Sequence, residues 1–263
     1  HHASNYAEGD VYRKLNSAGS ESGISCKAGL ANAAASYALK AGESREITFR
    51  VNLLEEPEAK SMVNPGSDRH SWAKQLDGTA KLDIPDKRMQ HIYDAAVRSL
   101  ILMSPDWTYP GPYTYKRFWY RDAALIINGL LDVNLTETAE QILDRFPEKQ
   151  TLTGFYHSQE GEWDSNGEVI WAYHRYSKLT GEEPKADWLD SIERGARWID
   201  RKRMSRDSDD LHAGLMPSGF SAEHLGNIDF YYWDNFWSVA GLDCAAELIE
   251  KYGDGDAKRF QEA

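Results

Sequence analysis

Residues 214–241, GLMPSGFSAEHLGNIDFYYWDNFWSVAG, open as a loop carrying Gly, Pro and Ser and close as a helix. Between Asp229 and Trp237 aromatic residues crowd around two acids, Asp229 and Asp234, just where the helical pattern begins. A core helix has little use for carboxylates, and a solvated loop has little use for so many rings. A floor of rings rimmed by carboxylates suits a saccharide, whose apolar ring face stacks while its hydroxyls bond outward.

Upstream, helical periodicity runs back as far as Ile84. Met89, Ile92, Tyr93, Ala96, Val97, Leu100 and Ile101 repeat at three and four residues, with Pro85 and Asp86 suited to a first turn. An aromatic loop, 104–115, leads into a strongly apolar helix over Arg117–Val133. Leu135–Phe146 is amphipathic, Asp164–Leu179 is apolar around much of its circumference, and Ala186–Arg203 has one apolar face. Asp234–Tyr252 is again mostly apolar, with Gly253 a candidate C-cap and a further helix starting in 253–263. One-faced and all-round helices therefore alternate, and an aromatic, acidic loop precedes each all-round one. This predicts a mainly α fold of outer and inner helices, with the loops before the inner helices gathered at one end.

Residues 1–82 have another texture and form a separate segment ahead of the helical segment 83–263. Ser36–Ala41 and Arg45–Leu53 alternate and flank Gly42, which predicts a strand pair. Residues 55–80 read as linker. Two strands make no stable sheet alone, so this segment reads as the tail of a β domain. His1–His2 has the look of a tag remnant.

A net charge of −12 argues against nucleic acid or an anionic membrane as partner. No apolar run reaches the roughly 20 residues of a membrane span, and no signal peptide is visible, which leaves the compartment open. Cys26 and Cys244 make no disulfide framework, and the eight His show no metal-ligand spacing, so neither metal nor cofactor is expected. The nine Trp are many for 263 residues and point to ligand surfaces as well as to core.

Three motifs stand at the starts of the all-round helices: Phe118-Trp119-Tyr120-Arg121-Asp122-Ala123-Ala124, Asp164-Ser165-Asn166-Gly167, and Tyr232-Trp233-Asp234-Asn235-Phe236-Trp237. In order and setting they resemble the six-hairpin, (α/α)6-barrel glycosidases of the glucoamylase-like clan, over about residues 84–252. The resemblance implies six helices forming half of an (α/α)6 toroid, preceded by the remnant of a β-sandwich domain. It implies an exo-acting, inverting glycoside hydrolase on α-glucosides or short oligosaccharides. The alternatives are a phosphorylase of the same fold and a non-catalytic carbohydrate-binding or assembly module.

By the same resemblance Arg121 and Asp122 would grip sugar hydroxyls, with Trp119, Tyr120, Trp163, Asp164, Tyr232, Trp233 and Trp237 as further substrate contacts. Asp234 falls where the clan places its general acid, although glucoamylases have Glu there. Asn235 stands where some relatives carry a second acid. Glu223 and Asp229, in the same loop, compete for the acid role. The plainer alternatives are that Asp122 complements a helix N-terminus and that Asp164 is an N-cap. The clan's base lies late in the second half of the barrel, and no residue here matches it. The expectation is therefore a fragment, or a half-toroid completed by another copy or a complementing chain that covers its open apolar edge.

Overall fold

The computed structural model describes residues 2–4, 11, 15, 32–48, 72–112, 115–207, 211–220 and 226–263. The chain divides into two compact units, His1–Pro65 and Gly66–Ala263.

In the first unit β1 (His2–Ser4) pairs antiparallel with β2 (Asn32–Ala34), His2 opposite Ala34 and Ser4 opposite Asn32. The predicted strand pair is not formed over its described part. Residues 36–48 carry a turn at Ala41–Gly42 but no ladder, and residues 49–53 lie outside the described residues. Gly42 takes φ 85°, which its missing Cβ permits. The alternation marked a segment with a turn at Gly42, but pairing needs a partner edge that alternation cannot supply.

The second unit is mainly helical: α1 (Trp72–Gln75), α2 (Lys87–Leu102), α3 (Tyr120–Asp132), α4 (Thr136–Leu143), α5 (Phe146–Lys149), α6 (Ser165–Thr180), α7 (Ala186–Lys202), α8 (Tyr232–Tyr252) and α9 (Ala257–Gln261). Residues 72–82, read from composition with the leading segment, hydrogen-bond to these helices: Ala80 N–H donates to Val133 O at 2.9 Å and Tyr93 Oη to Ala80 O at 2.8 Å. The Asp86 carboxylate caps α2 by accepting from the Arg88 and Met89 amides at 2.9 and 3.1 Å. Asn134, at φ 63°, turns the chain between α3 and α4, a left-handed conformation that Asn tolerates better than most side chains. Gly181 closes α6 in the same region, at φ 78°.

Helix α6 packs between α3 and α8, and α4, α7 and α9 form a second layer behind these three. The α6–α8 crossing brings backbone onto backbone. A Cβ on Gly167 would sit 1.9 Å from Trp237 O, and one on Gly241 would sit 2.4 Å from Gly167 Cα. Between the layers lies an apolar core that includes Ile127, Phe146, Ile170, Trp188 and Ile192, all essentially inaccessible.

Two helices differ from their patterns. On α2 only Val97 is buried, while Met89 and Ile92 of the predicted apolar face are exposed. On α8, expected to be buried all round, Tyr232, Phe236 and Val239 are exposed along one side of its first turns.

Candidate active site

The segments before α3, α6 and α8 meet at one end of the bundle, drawn together by polar contacts. Tyr120 N–H, at the start of α3, donates to Ser158 Oγ in the loop before α6 at 2.9 Å. Phe220 N–H, in the loop before α8, donates to Gly161 O at 2.7 Å. That loop is folded on itself by reciprocal backbone bonds between Gly219 and Asp229. Gly219 is confined: a Cβ there would lie 2.3 Å from Gly161 O and 2.6 Å from Trp163 Nε1.

At this junction Arg121 Nε donates to Asp164 Oδ2 at 2.6 Å, and Trp233 Nε1 donates to the same oxygen at 2.7 Å. One carboxylate thus ties α3, α6 and α8 together. Arg121 Nη2 also pairs with Glu162 Oε2 at 3.0 Å. Asp164 does not serve as an N-cap. Its side chain makes no capping bond: Oδ2 is taken by Arg121 and Trp233 on two neighbouring helices, and Oδ1 has no hydrogen-bond partner. Ser165 and Asn166 are engaged instead with the preceding loop and α7: Ser165 Oγ donates to Tyr156 O, and Asn166 accepts from Tyr156 N–H while donating to Gly154 O and Gly195 O.

Asp234 sits in the first turn of α8 and is only 3% exposed. Burial pushes its carboxyl up to about 7, and the neighbouring Asp164 charge pushes the same way. A bond from the Trp163 amide and the charge of Arg121 oppose these effects without cancelling them. Near neutral pH a large share of the group therefore keeps its proton and is able to give it. Asn235 does not replace an acid; it is a tether, accepting from Met216 N–H at 2.9 Å and donating to Tyr231 O at 2.8 Å.

Two acids that the motifs did not single out belong to the same cluster. Glu162 is 2% exposed and faces Arg121; Glu168 is inaccessible, one helical turn beyond Asp164. Neither Glu168 oxygen has a hydrogen-bond partner. Burial, then the Asp164 charge, raises this carboxyl well above the ordinary range; Arg121 pulls it down, and Asp122 and Asp234 push it up again. The available signal was the i, i+4 spacing of Asp164 and Glu168 on a helix apolar all round.

The other substrate-contact candidates fall into two groups. Trp233 is 42% exposed, and Trp237 packs edge-on against both Trp171 and Trp233, at 5.4 and 5.9 Å between centroids. Tyr232 is exposed and stacks on Phe236. Asp122 is half-buried in the first turn of α3, and half-buried Trp119 carries the Arg117 guanidinium 3.5 Å above its ring. These side chains are accessible in whole or part. Tyr120 and Trp163 are core residues. Tyr120 is inaccessible and donates to Phe146 O at 3.1 Å. Trp163 is buried against Phe155 and Trp198, with Lys202 Nζ 3.8 Å over its ring. Neither offers a face to a ligand. Asp229 is exposed and accepts from the Phe230 amide at 2.8 Å, a solvated loop acid outside the buried cluster. Glu223 lies outside the described residues.

No family model, curated protein or solved structure matches the chain. Among the described residues no group of three or more His, Cys, Asp or Glu is arranged to hold a metal ion, and no helix is long and apolar enough to cross a membrane.

Proposed function

We propose that the chain acts in glycoside hydrolysis, as an exo-acting inverting enzyme on α-linked glucosides or related short oligosaccharides, with its helices forming part of an (α/α)6 toroid. The observation that carries this reading is Asp234, a buried carboxyl raised to about 7 beside the Arg121–Asp164–Trp233 junction. A general acid for a leaving glycosidic oxygen must keep its proton near neutral pH, and desolvation is the usual means. Trp233 and Trp237 supply accessible ring surface beside it, and the half-buried Arg121 and Asp122 supply directional polar groups. The convergence of three helix starts and the two-layer packing support the toroid.

Inversion needs a second carboxylate roughly 6.5–9.5 Å away to activate water. Asp164 is tied to Arg121 and Trp233, and Glu168 is held in its neutral form, so neither suits that task. In this reading the base comes from a second copy or a complementing chain seated on the exposed face of α8 at Tyr232, Phe236 and Val239. A compact monomer in sedimentation at micromolar concentration would contradict that part of the proposal. A phosphorylase fits less well, because a phosphate dianion would meet Glu162, Asp164 and Asp234 beside the Arg121 guanidinium, which is already bonded to Asp164.

The test is hydrolysis of an aryl α-glucoside and a short maltooligosaccharide by the wild type and Asp234→Asn. Loss of about 10²–10⁴-fold in kcat with the fold intact is expected of a lost general acid. An undiminished rate rejects Asp234 as the acid. Binding without turnover in the wild type would favour a carbohydrate-binding module.

A further inference from the structure

Asp164 and Asp234 occupy matching positions on adjacent helices. Each stands three residues before the point where α6 and α8 touch backbone to backbone, Gly167 against Trp237. A Cβ on Gly167 would sit 1.9 Å from Trp237 O, so the contact has no slack, and it fixes the spacing of the two carboxyls one turn nearer the helix starts. Both residues are nearly inaccessible, at 1% and 3% exposure. Their partners differ. Asp164 Oδ2 accepts from Arg121 Nε at 2.6 Å and from Trp233 Nε1 at 2.7 Å, so that oxygen carries no proton and the side chain is ion-paired. Asp234 accepts from the Trp163 amide and is ion-paired with no cation among the described residues. Trp233 immediately precedes Asp234, so the bond that holds Asp164 also straps the first turn of α8 to the start of α6.

The other charged or titratable groups facing Asp234 are Arg121 from α3, Glu162 from the loop before α6, and Glu168 from α6. Arg121 opposes a proton on Asp234, but its guanidinium is bonded to Asp164 and paired with Glu162. Glu168 is held in its neutral form and adds little field. After burial, the Asp164 charge is the strongest influence on the Asp234 proton, ahead of that of Glu162.

Resting on the glycoside-hydrolase reading, we propose that Asp164 is a positioning residue for that reaction: a fixed, buried negative charge, strapped beside Asp234 through Trp233, that keeps the proton on the general acid. It acts through Asp234 and needs no contact with substrate, as suits a residue 1% exposed. Arg121 and Trp233 have a part in this as well. Their bonds hold the charge at one place on α6, where a free carboxylate would turn away from its like-charged neighbour.

The experiment follows the Asp234 proton in two ways, using Asp164→Asn and Trp233→Phe on the whole chain. The first variant keeps an oxygen for Arg121 and Trp233 but removes the charge; the second keeps the charge and a ring but removes the strap. In kcat against pH for a short α-glucoside, the descending limb near 7 should move at least ~1 pH unit lower in Asp164→Asn, a tenfold change in the proton equilibrium. The like charge has gone, and Arg121 opposes the proton more strongly. In Trp233→Phe the limb should stay closer to wild type than to Asp164→Asn. Equal displacement in both variants would mean that Asp164 acts only by holding the structure, which overturns the inference. The second readout needs no turnover. Asp234→Asn is introduced into wild type and into Asp164→Asn, and its gain in urea stability is followed from about pH 4 to about pH 8. The gain should level off at about 7 in wild type and ~1 pH unit lower in the Asp164→Asn background. An unmoved plateau overturns the inference and leaves Asp234 as the acid. No turnover by wild type, with the plateau displaced, rejects the hydrolase reading while the relation between the two carboxyls stands. If Asp164→Asn does not fold, ¹³C carboxyl spectra of wild type decide. A single Asp carboxyl titrating near 7 and missing from Asp234→Asn supports the inference, and a proton shared between two Asp carboxyls overturns it.

Discussion

Replacing Asp234 with Asn should stabilise the protein, and by an amount set by pH. The side chain is 3% exposed, and its carboxyl rises from the ordinary 3.8 to about 7 on folding. Below about pH 4 the group is protonated in both states and contributes no pH-dependent cost. As pH climbs from there toward 7, the unfolded chain releases the proton while the folded chain keeps it, so folding stability is lost across that window. Above about pH 7 both states are ionised and the loss levels off. At ~1.4 kcal/mol per pH unit the full rise corresponds to a ceiling of ~4 kcal/mol, and sharing of charge with Asp164 reduces the expected figure to ~2–4 kcal/mol. Asn is nearly isosteric, keeps an oxygen for the Trp163 amide and never ionises. Urea unfolding of both proteins at about pH 4 and pH 8 should show a small difference at the lower pH and a gain of ~2–4 kcal/mol for the variant at the higher. A difference that does not change with pH would refute the account of Asp234 as a buried acid.

Other perturbations address separate parts of the structure. Gly167→Ala should cost ~2 kcal/mol or more, because the new Cβ meets the Trp237 carbonyl, a backbone atom that cannot rotate away, and outweighs the ~1 kcal/mol gain in helix propensity. A midpoint of thermal unfolding within a degree of wild type would contradict the close α6–α8 crossing. Arg121→Met should destabilise by ~3 kcal/mol and more at higher pH, since Glu162 and Asp164 lose the cation that offsets their charge; denaturant unfolding at two pH values checks both statements. Tyr120→Phe removes the bond to Phe146 O and should cost ~1 kcal/mol in stability while leaving kcat/KM unchanged, as suits a core residue.

The helices were legible because each buries a stripe or a whole circumference. The pattern over Ala186–Arg203 becomes α7, ending one residue earlier, and that over Asp164–Leu179 becomes α6. Arg121, Asp164, Trp233 and Asp234 were also legible as a group, since each stands at a helix start and those starts converge. Burial within the motifs was less so. Tyr120 follows Trp119 in a helix first turn, but its ring points into the core, and no local pattern tells a ligand-facing tyrosine from a packed one. Trp163 likewise stands beside Asp164 in sequence while its ring turns toward Trp198. Glu168 was passed over for the opposite reason, its spacing from Asp164 being the one hint. A charged residue on an apolar helix reads as its solvent face, and only the packing of α3 and α8 around α6 reveals that no such face exists there. The exposed Tyr232, Phe236 and Val239 depend on which neighbours cover α8, a tertiary fact with no local signature. In the first unit, β2 lies in an alanine-rich stretch whose weak pattern gave no strand signal.

The most direct measurement of the central claim is the pH dependence of kcat for hydrolysis of a short α-glucoside, in wild type and Asp234→Asn. A general acid with the carboxyl of Asp234, raised to about 7, predicts a wild-type rate that declines as pH passes through about 7. It predicts a variant whose residual rate is lower by about 10²–10⁴-fold and lacks that descending limb. A descending limb that survives in Asp234→Asn, or a variant as fast as wild type, would contradict it.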